Sequence, residues 1–384
     1  MKYDFDQIAD RRGTMSYKWD TTPDGVIPLW VADMDFKAAP CIIDALRRRV
    51  DHGVFGYVSV PDEYYRAVDG WFSRRHGWSV NREHVIYTSG VVPAVSAIIK
   101  AMTRPGDRVI VQTPAYNCFF SSIRNNGCEL SANNLIYHPD GYTIDWDDLE
   151  RRASDPRTRV LILCNPHNPS GRVWTREELT RIADICRRNN VFVISDEIHC
   201  ELVYGAEGYT PYASLSEEVA QGCAVCISPS KAFNIAGLQI ANIVAADAEV
   251  RARIDRAIND NEVCDVNPFG VTATIAAYNH GEDWLAELLQ YLKGNMDMLC
   301  EFLKTNLPNL QPIPLEGTYL AWVKCTDTGM NGEQLEAYLT ENAKVRVNGG
   351  AMYGPGGEDF IRINLACPRS VLREALQRIS KALG

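Results

Sequence analysis

VFVISDEIH, residues 191–199, is a short apolar β-branched run that stops abruptly in Asp196, Glu197 and His199. Two other stretches repeat the design. VLILCNPHNPSG, residues 160–171, ends in Asn165, His167 and Asn168, and AVCISPSK, residues 224–231, ends in Ser228, Ser230 and Lys231. Runs of this length and composition fit strands buried on both faces, as in a parallel sheet covered by helices. Such sheets place their ligands beyond the carboxyl ends of the strands. Strand ends that deliver Asn, Asp and Lys to one edge therefore mark a site as well as a fold.

Further strands are predicted over 85–87, followed by Ser89-Gly90-Val91, over 108–111, followed by Thr113-Pro114-Ala115-Tyr116, and over 240–244. Helical patterns fall between them at 92–102 and at 176–189, the second with Thr175 as N-cap and Glu178 three residues on. Tyr64, Val68, Trp71 and Phe72 share one face of a helix ending at Gly77. The alternation of strand and helix from about 82 to 247 predicts an α/β domain with a mostly parallel sheet. After about 279 the texture changes to a long helical stretch, strands over 319–323 and 360–365, and a last helix from Arg369. No low-complexity linker intervenes, so two packed parts are expected: a large domain over 46–280, and a small one from 1–45 and 281–384.

The 384 residues, 46% hydrophobic and 23% charged, exclude disordered and fibrous classes. A net charge of −10 repels phosphate backbones and anionic lipid, so neither nucleic acid nor a membrane surface is an expected partner. No uncharged apolar run approaches the roughly 20 residues of a membrane span, and MKYDFDQIADRR lacks the order of a signal peptide. The 12 Cys lie mostly in apolar segments, as small buried thiols do, and a reducing, cytoplasmic setting is expected.

The order Asn168, Asp196, Lys231, each closing its own strand, resembles the fold-type I enzymes that use pyridoxal 5′-phosphate (PLP). LWVADMDF (29–36), FGY (55–57) with PDEYYRAVDGWFSRRHGW (61–78), NPHNPSG (165–171), DEIHCELVY (196–204) and SPSKAFNIAGLQIAN (228–242) narrow this. Together they resemble the MalY/PatB group of cystathionine β-lyases, built like class I/II aminotransferases. The resemblance implies an α/β chain of the PLP-dependent transferase fold type I and a homodimer with active sites at the subunit interface. It also implies carbon–sulfur β-elimination from cystathionine or other S-substituted cysteines, leaving a thiol, pyruvate and ammonia. A PLP-dependent aminotransferase is the alternative, since fold, lysine and carboxylate arginine serve both.

Residue by residue, Lys231 matches the lysine that holds the cofactor aldehyde and then acts as base at Cα, roles that a lowered pKa suits. Asp196 matches the carboxylate facing the pyridine nitrogen, and Tyr116 the ring stacked on the cofactor plane. Asn168 matches the O3′ partner. His199 stands where aminotransferases commonly place a Tyr, a departure typical of the lyase group; a satisfied core histidine is the plain alternative. Ser89, Gly90 and Val91 match a phosphate cup at a helix N-terminus, although a simple strand-to-helix turn predicts the same Gly. Ser228 and Ser230 match phosphate-side hydroxyls, and Gln239 stands where many aminotransferases have a phosphate-binding Arg. Tyr57 matches the tyrosine that reaches the neighbouring subunit's phosphate, with core packing as the alternative. Arg362, between Ile361 and Ile363, matches the arginine that forks onto the substrate carboxylate, and a surface strand Arg shows the same alternation.

Two patterns compete weakly. His199-Cys200-Glu201 with Cys223 and Cys226 has the outline of a zinc deaminase motif, but Gly222 replaces its Pro and Cys226 falls inside an apolar run, so no metal is expected. The glycine cluster from Gly349 to Gly357 lacks the strand-to-helix frame of a nucleotide loop and is read as a turn near the site's mouth, with no role assigned.

Overall fold

The computed structural model describes residues 2–205, 208–260, 262 and 265–384. A seven-stranded sheet is built from β1 (Val85–Thr88), β2 (Arg108–Thr113), β3 (Glu129–Asn134), β4 (Thr158–Cys164), β5 (Phe192–Asp196), β6 (Cys223–Ile227) and β7 (Ala241–Val244). Its order is β1-β7-β6-β5-β4-β2-β3. β2 through β6 pair in parallel, whereas β7 runs antiparallel to both β1 and β6. The carboxyl ends of β1, β2, β4, β5 and β6 therefore share one edge, and β7 starts from it. The predicted strands are all present. β3 went unpredicted because this edge strand, Glu-Leu-Ser-Ala-Asn-Asn, is half exposed and carries little apolar signal.

Helices cover both faces, as parallel pairing requires. Glu178 and Thr175 close a capping box at the start of Arg176–Arg188, worth about 1 kcal/mol. Asp62–His76 ends at Gly77 in the left-handed region and buries Tyr64, Val68, Trp71 and Phe72. Trp71 stacks on Tyr278 at 5.0 Å, in the helix Pro268–His280, which is apolar nearly all round because it lies inside the core.

A second, four-stranded antiparallel sheet has the order β8-β9-β11-β10, from β8 (Gln311–Pro312), β9 (Leu320–Lys324), β10 (Asn348–Gly349) and β11 (Phe360–Asn364). It separates two cores. Along β11, Ile361 and Ile363 join the cluster under the last helix, Arg369–Leu383, while Phe360 joins the cluster of the larger sheet. Arg362 shares the face of Phe360 and is 4% exposed, which removes the surface-strand reading. The helix Glu282–Asn306, about 37 Å long, runs beside this sheet. The expected boundary between 280 and 281 falls at Gly281, where one helix ends and the next begins, whereas that between 45 and 46 falls inside the helix Pro40–His52. No helix among the described residues is long and apolar enough to cross a membrane.

Candidate active site

The shared edge of the large sheet opens into a cavity of about 210 Å³. Its lining includes Ser89, Gly90 and Val91 after β1, Tyr116 after β2, Asn168 after β4, Asp196 closing β5 and His199 after it, and Ser230 and Lys231 after β6. Gln239 and Ile240, entering β7, complete it because that strand is antiparallel and begins where the others end. Nine of the twelve residues expected at the site thus converge on one cavity.

Lys231 reaches Nζ to the carbonyl of Ala32 at 2.6 Å. Desolvation, then the charge of Arg362, brings its pKa down to about 8. Asp196 is buried at the end of β5 and its Oδ1 accepts from the Ile198 amide at 3.1 Å. Burial pushes its carboxyl up to about 6, with that amide and Lys231 pulling the other way, so it is ionised at neutral pH. His199 is buried with Nδ1 unpartnered among the described residues. Burial and the charges of Lys231 and Arg362 lower its pKa well below the ordinary value, so the ring is neutral. Its ring lies edge-on to Tyr319 at 6.1 Å. A buried imidazole nitrogen with no protein partner is open to a ligand in the cavity. The satisfied-core reading of His199 fails on that atom.

The remaining expected residues are placed differently. Arg362 stands behind the lining: Nη1 donates to Asn168 Oδ1 at 2.9 Å and Nη2 to the Trp30 carbonyl at 3.0 Å, while Nε has no partner among the described residues. Ser228 is buried beside the cavity, donating to the Ile240 carbonyl at 2.6 Å and accepting from the Ser230 amide. It shapes the turn carrying Lys231. Tyr57 is 95% exposed in an exposed stretch with Val54 and Phe55, so core packing does not account for it.

Sequence reasoning missed the contribution of the glycine cluster. A Cβ on Gly350 would stand 1.9 Å from the Gly357 carbonyl oxygen, so the two backbones cross at a distance only glycine allows. That crossing sets Tyr353, whose ring lies 5.0 Å from the Arg362 guanidinium and whose carbonyl accepts from Ala115, next to Tyr116. The zinc-like pattern disperses, with His199 in the cavity and Cys226 buried in the sheet. Metal-ligand atoms cluster instead at His76, Cys200 and Glu201, where Glu201 already accepts from Trp71, Arg75 and His76.

These residues fit a phosphorylated pyridine aldehyde. A low-pKa amine, an ionised buried carboxylate, an unpartnered imidazole and an aromatic face surround one cavity. One wall is the start of the helix Val91–Met102, whose Val91 and Val92 amides have no intrahelical acceptor and suit a phosphate.

The family model for aminotransferase class I and II matches residues 24–379. Among curated relatives, the chain is 42% identical to cystathionine beta-lyase PatB of Bacillus subtilis and 35% identical to protein MalY of Escherichia coli, each over 99% of both chains. Among solved structures it superposes on cystalysin of Treponema denticola, which contains a pyridoxal 5′-phosphate cofactor, with a TM-score of 0.96 and 35% identity over 100% of this chain and 99% of that one. With its strand-end residues gathered on one cavity and its likeness running end to end, this chain belongs to the aminotransferase class I and II family, in the MalY/PatB group.

Proposed function

We propose that the protein is a PLP-dependent carbon–sulfur β-lyase that converts cystathionine or related S-substituted cysteines to a thiol, pyruvate and ammonia. The observation that carries it is the meeting of Lys231, Asp196, His199 and Asn168 on one cavity, in a chain 42% identical along its length to a cystathionine beta-lyase. PLP, when bound, supplies an aldehyde for the substrate amine and a protonated ring that draws electrons from the bonds at Cα.

The chain's own residues do the rest. Asp196, charged at neutral pH, holds a proton on the pyridine nitrogen. Tyr116 covers one ring face, Asn168 and His199 serve its hydroxyl side, and Ser89, Gly90, Val91, Ser228 and Ser230 serve the phosphate. Gln239 adds a neutral donor. Arg362 binds the substrate α-carboxylate as a bidentate fork. Lys231, with a pKa near 8, takes the Cα proton on Nζ and returns it readily at neutral pH. Neutral His199 hydrogen-bonds without adding a third positive charge beside Lys231 and Arg362.

Exposed Tyr57, with Phe55 and Val54, supports a homodimer in which this segment reaches the second copy's cavity. A large domain over 46–280 and a small one from 1–45 and 281–384 go with this reading. The eleven cysteines of the described residues are unpaired, which supports a cytoplasmic location.

The test is pyruvate release from cystathionine, coupled to lactate dehydrogenase. Pyruvate and thiol in equal amounts are expected. Amino transfer that depends on an added keto acid and yields no pyruvate would overturn the lyase in favour of the aminotransferase.

A further inference from the structure

The segment Trp30–Asp33, whose Ala32 lines the cavity, has its backbone carbonyls divided between two sets of donors. Trp30 O accepts from Arg362 Nη2 at 3.0 Å and from Asn348 Nδ2 at 2.9 Å. Ala32 O accepts from Lys231 Nζ at 2.6 Å and from Tyr319 Oη at 2.9 Å. The carbonyls of Val31 and Asp33 share a different donor, Asn364, with Lys18 Nζ also donating to Asp33 O at 3.4 Å. Asn364 Nδ2 donates to Val31 O at 2.5 Å and to Asp33 O at 2.6 Å, while Asn364 Oδ1 accepts from the Ala366 amide at 2.8 Å. Asn364 is 1% exposed, two residues beyond Arg362 and on the same face of β11.

We propose that Asn364 is a positioning residue: by pinning the carbonyls of Val31 and Asp33 it holds those of Trp30 and Ala32 against Arg362 and Lys231, setting the carboxylate-binding cation and the reactive amine in register. The proposal rests on the reading of Arg362 and Lys231 given above. A side chain with one amide nitrogen and one oxygen suits this task because the strap offers two acceptors and the β11 end one donor. Asp at 364 keeps the shape but has no donor, and turns a charge toward two carbonyls. Ser keeps one donor that is too short to span both.

The test uses the holoenzyme and two ligands. One is S-methyl-α-methylcysteine, which has the carboxylate but no Cα proton to lose; the other is 1-(methylthio)propan-2-amine, the same amine without the carboxylate. Their dissociation constants are read from the cofactor's absorption spectrum, and KM and kcat from pyruvate release. For Asn364→Asp and Asn364→Ser we expect the carboxylate ligand to weaken roughly tenfold or more, as for loss of a charge-assisted contact, with the amine changing less than about twofold. KM should rise more than kcat falls. Equal weakening of both ligands, or no change in either, in whichever variant folds overturns the proposal. Arg362→Lys separates the two levels: if it too leaves the preference for the carboxylate ligand intact, the reading of Arg362 fails and Asn364's role with it.

Discussion

Two groups of charged side chains lie equally deep in this molecule and behave in opposite ways. Glu201 is 3% exposed, and its carboxylate accepts from Trp71 Nε1 at 2.6 Å, Arg75 Nε at 2.7 Å and His76 Nε2 at 2.8 Å. Burial alone would raise its pKa, but those partners together hold it below the ordinary carboxylate value. Asp196 is 4% exposed, five residues earlier in the chain, and has one amide and a more distant lysine, so burial wins and its carboxyl rises to about 6. Pairing, not depth, decides whether a buried charge serves the fold or remains available for chemistry. The cavity residues carry displaced pKa values and, at His199 Nδ1, an atom without a partner among the described residues. The Glu201 cluster is complete without a ligand.

The sharpest attack on this contrast is Lys231→Ala. Turnover should fall by about 10⁴-fold or more, as for loss of a covalent nucleophile and base together, and borohydride reduction should leave no cofactor attached by mass spectrometry. Retained activity with bound cofactor would dissolve the cavity assignment. Asp196→Asn should lower kcat roughly 10²–10³-fold, in the range of lost electrostatic stabilisation, while the melting temperature of the cofactor-free protein stays level or rises, since a poorly paired buried charge has gone. Glu201→Gln inverts that pattern. It should cost about 3–5 kcal/mol in denaturant unfolding, because Arg75 is left against a neutral partner, yet the folded enzyme should keep kcat within a few-fold. A large kcat loss without destabilisation would erase the distinction between the two clusters.

The smallest effect is read from stability against pH in the cofactor-free protein. Glu201, held below its ordinary value of 4.5, contributes stability that is full above pH 4.5 and is lost as pH falls through its folded pKa. Asp196, raised from 3.8 to about 6, does the reverse: folding takes up a proton between those values, so its contribution is full below 3.8 and fades as pH rises to 6. Each is worth on the order of 1 kcal/mol per unit of displacement. Chemical denaturation from pH 3 to 7 should show both slopes, with Asp196→Asn removing the fall between 4 and 6 and Glu201→Gln removing the acid-side loss. Matching curves for the two variants would refute the opposite signs.

Much of this was legible in the chain because strand ends are local events. Val191 to Ile194 reads as strand from its side chains alone, and the register that follows it puts Asp196 at the edge whatever the rest of the protein does. The same holds for Asn168 after β4 and Lys231 after β6. Gln239 enters the cavity for a reason no local pattern carries, namely that β7 runs against its neighbours. Val31 and Asn364, 333 positions apart in the chain, meet because two distant segments pack across the same cavity.

Hydrophobic periodicity and the residue after each strand are written in consecutive positions, so the chain alone gives six of the seven strands of the large sheet, the edge on which polar residues collect, and the family to which their order belongs. Which buried charges are paired follows instead from the packing of segments far apart in the chain. Glu201 and Asp196 are both carboxylates beside apolar strands, and nothing in their neighbours distinguishes them. What separates them is the arrival of Trp71, Arg75 and His76 from a helix more than a hundred residues earlier, and electrostatic energy depends on distance in space rather than distance along the chain.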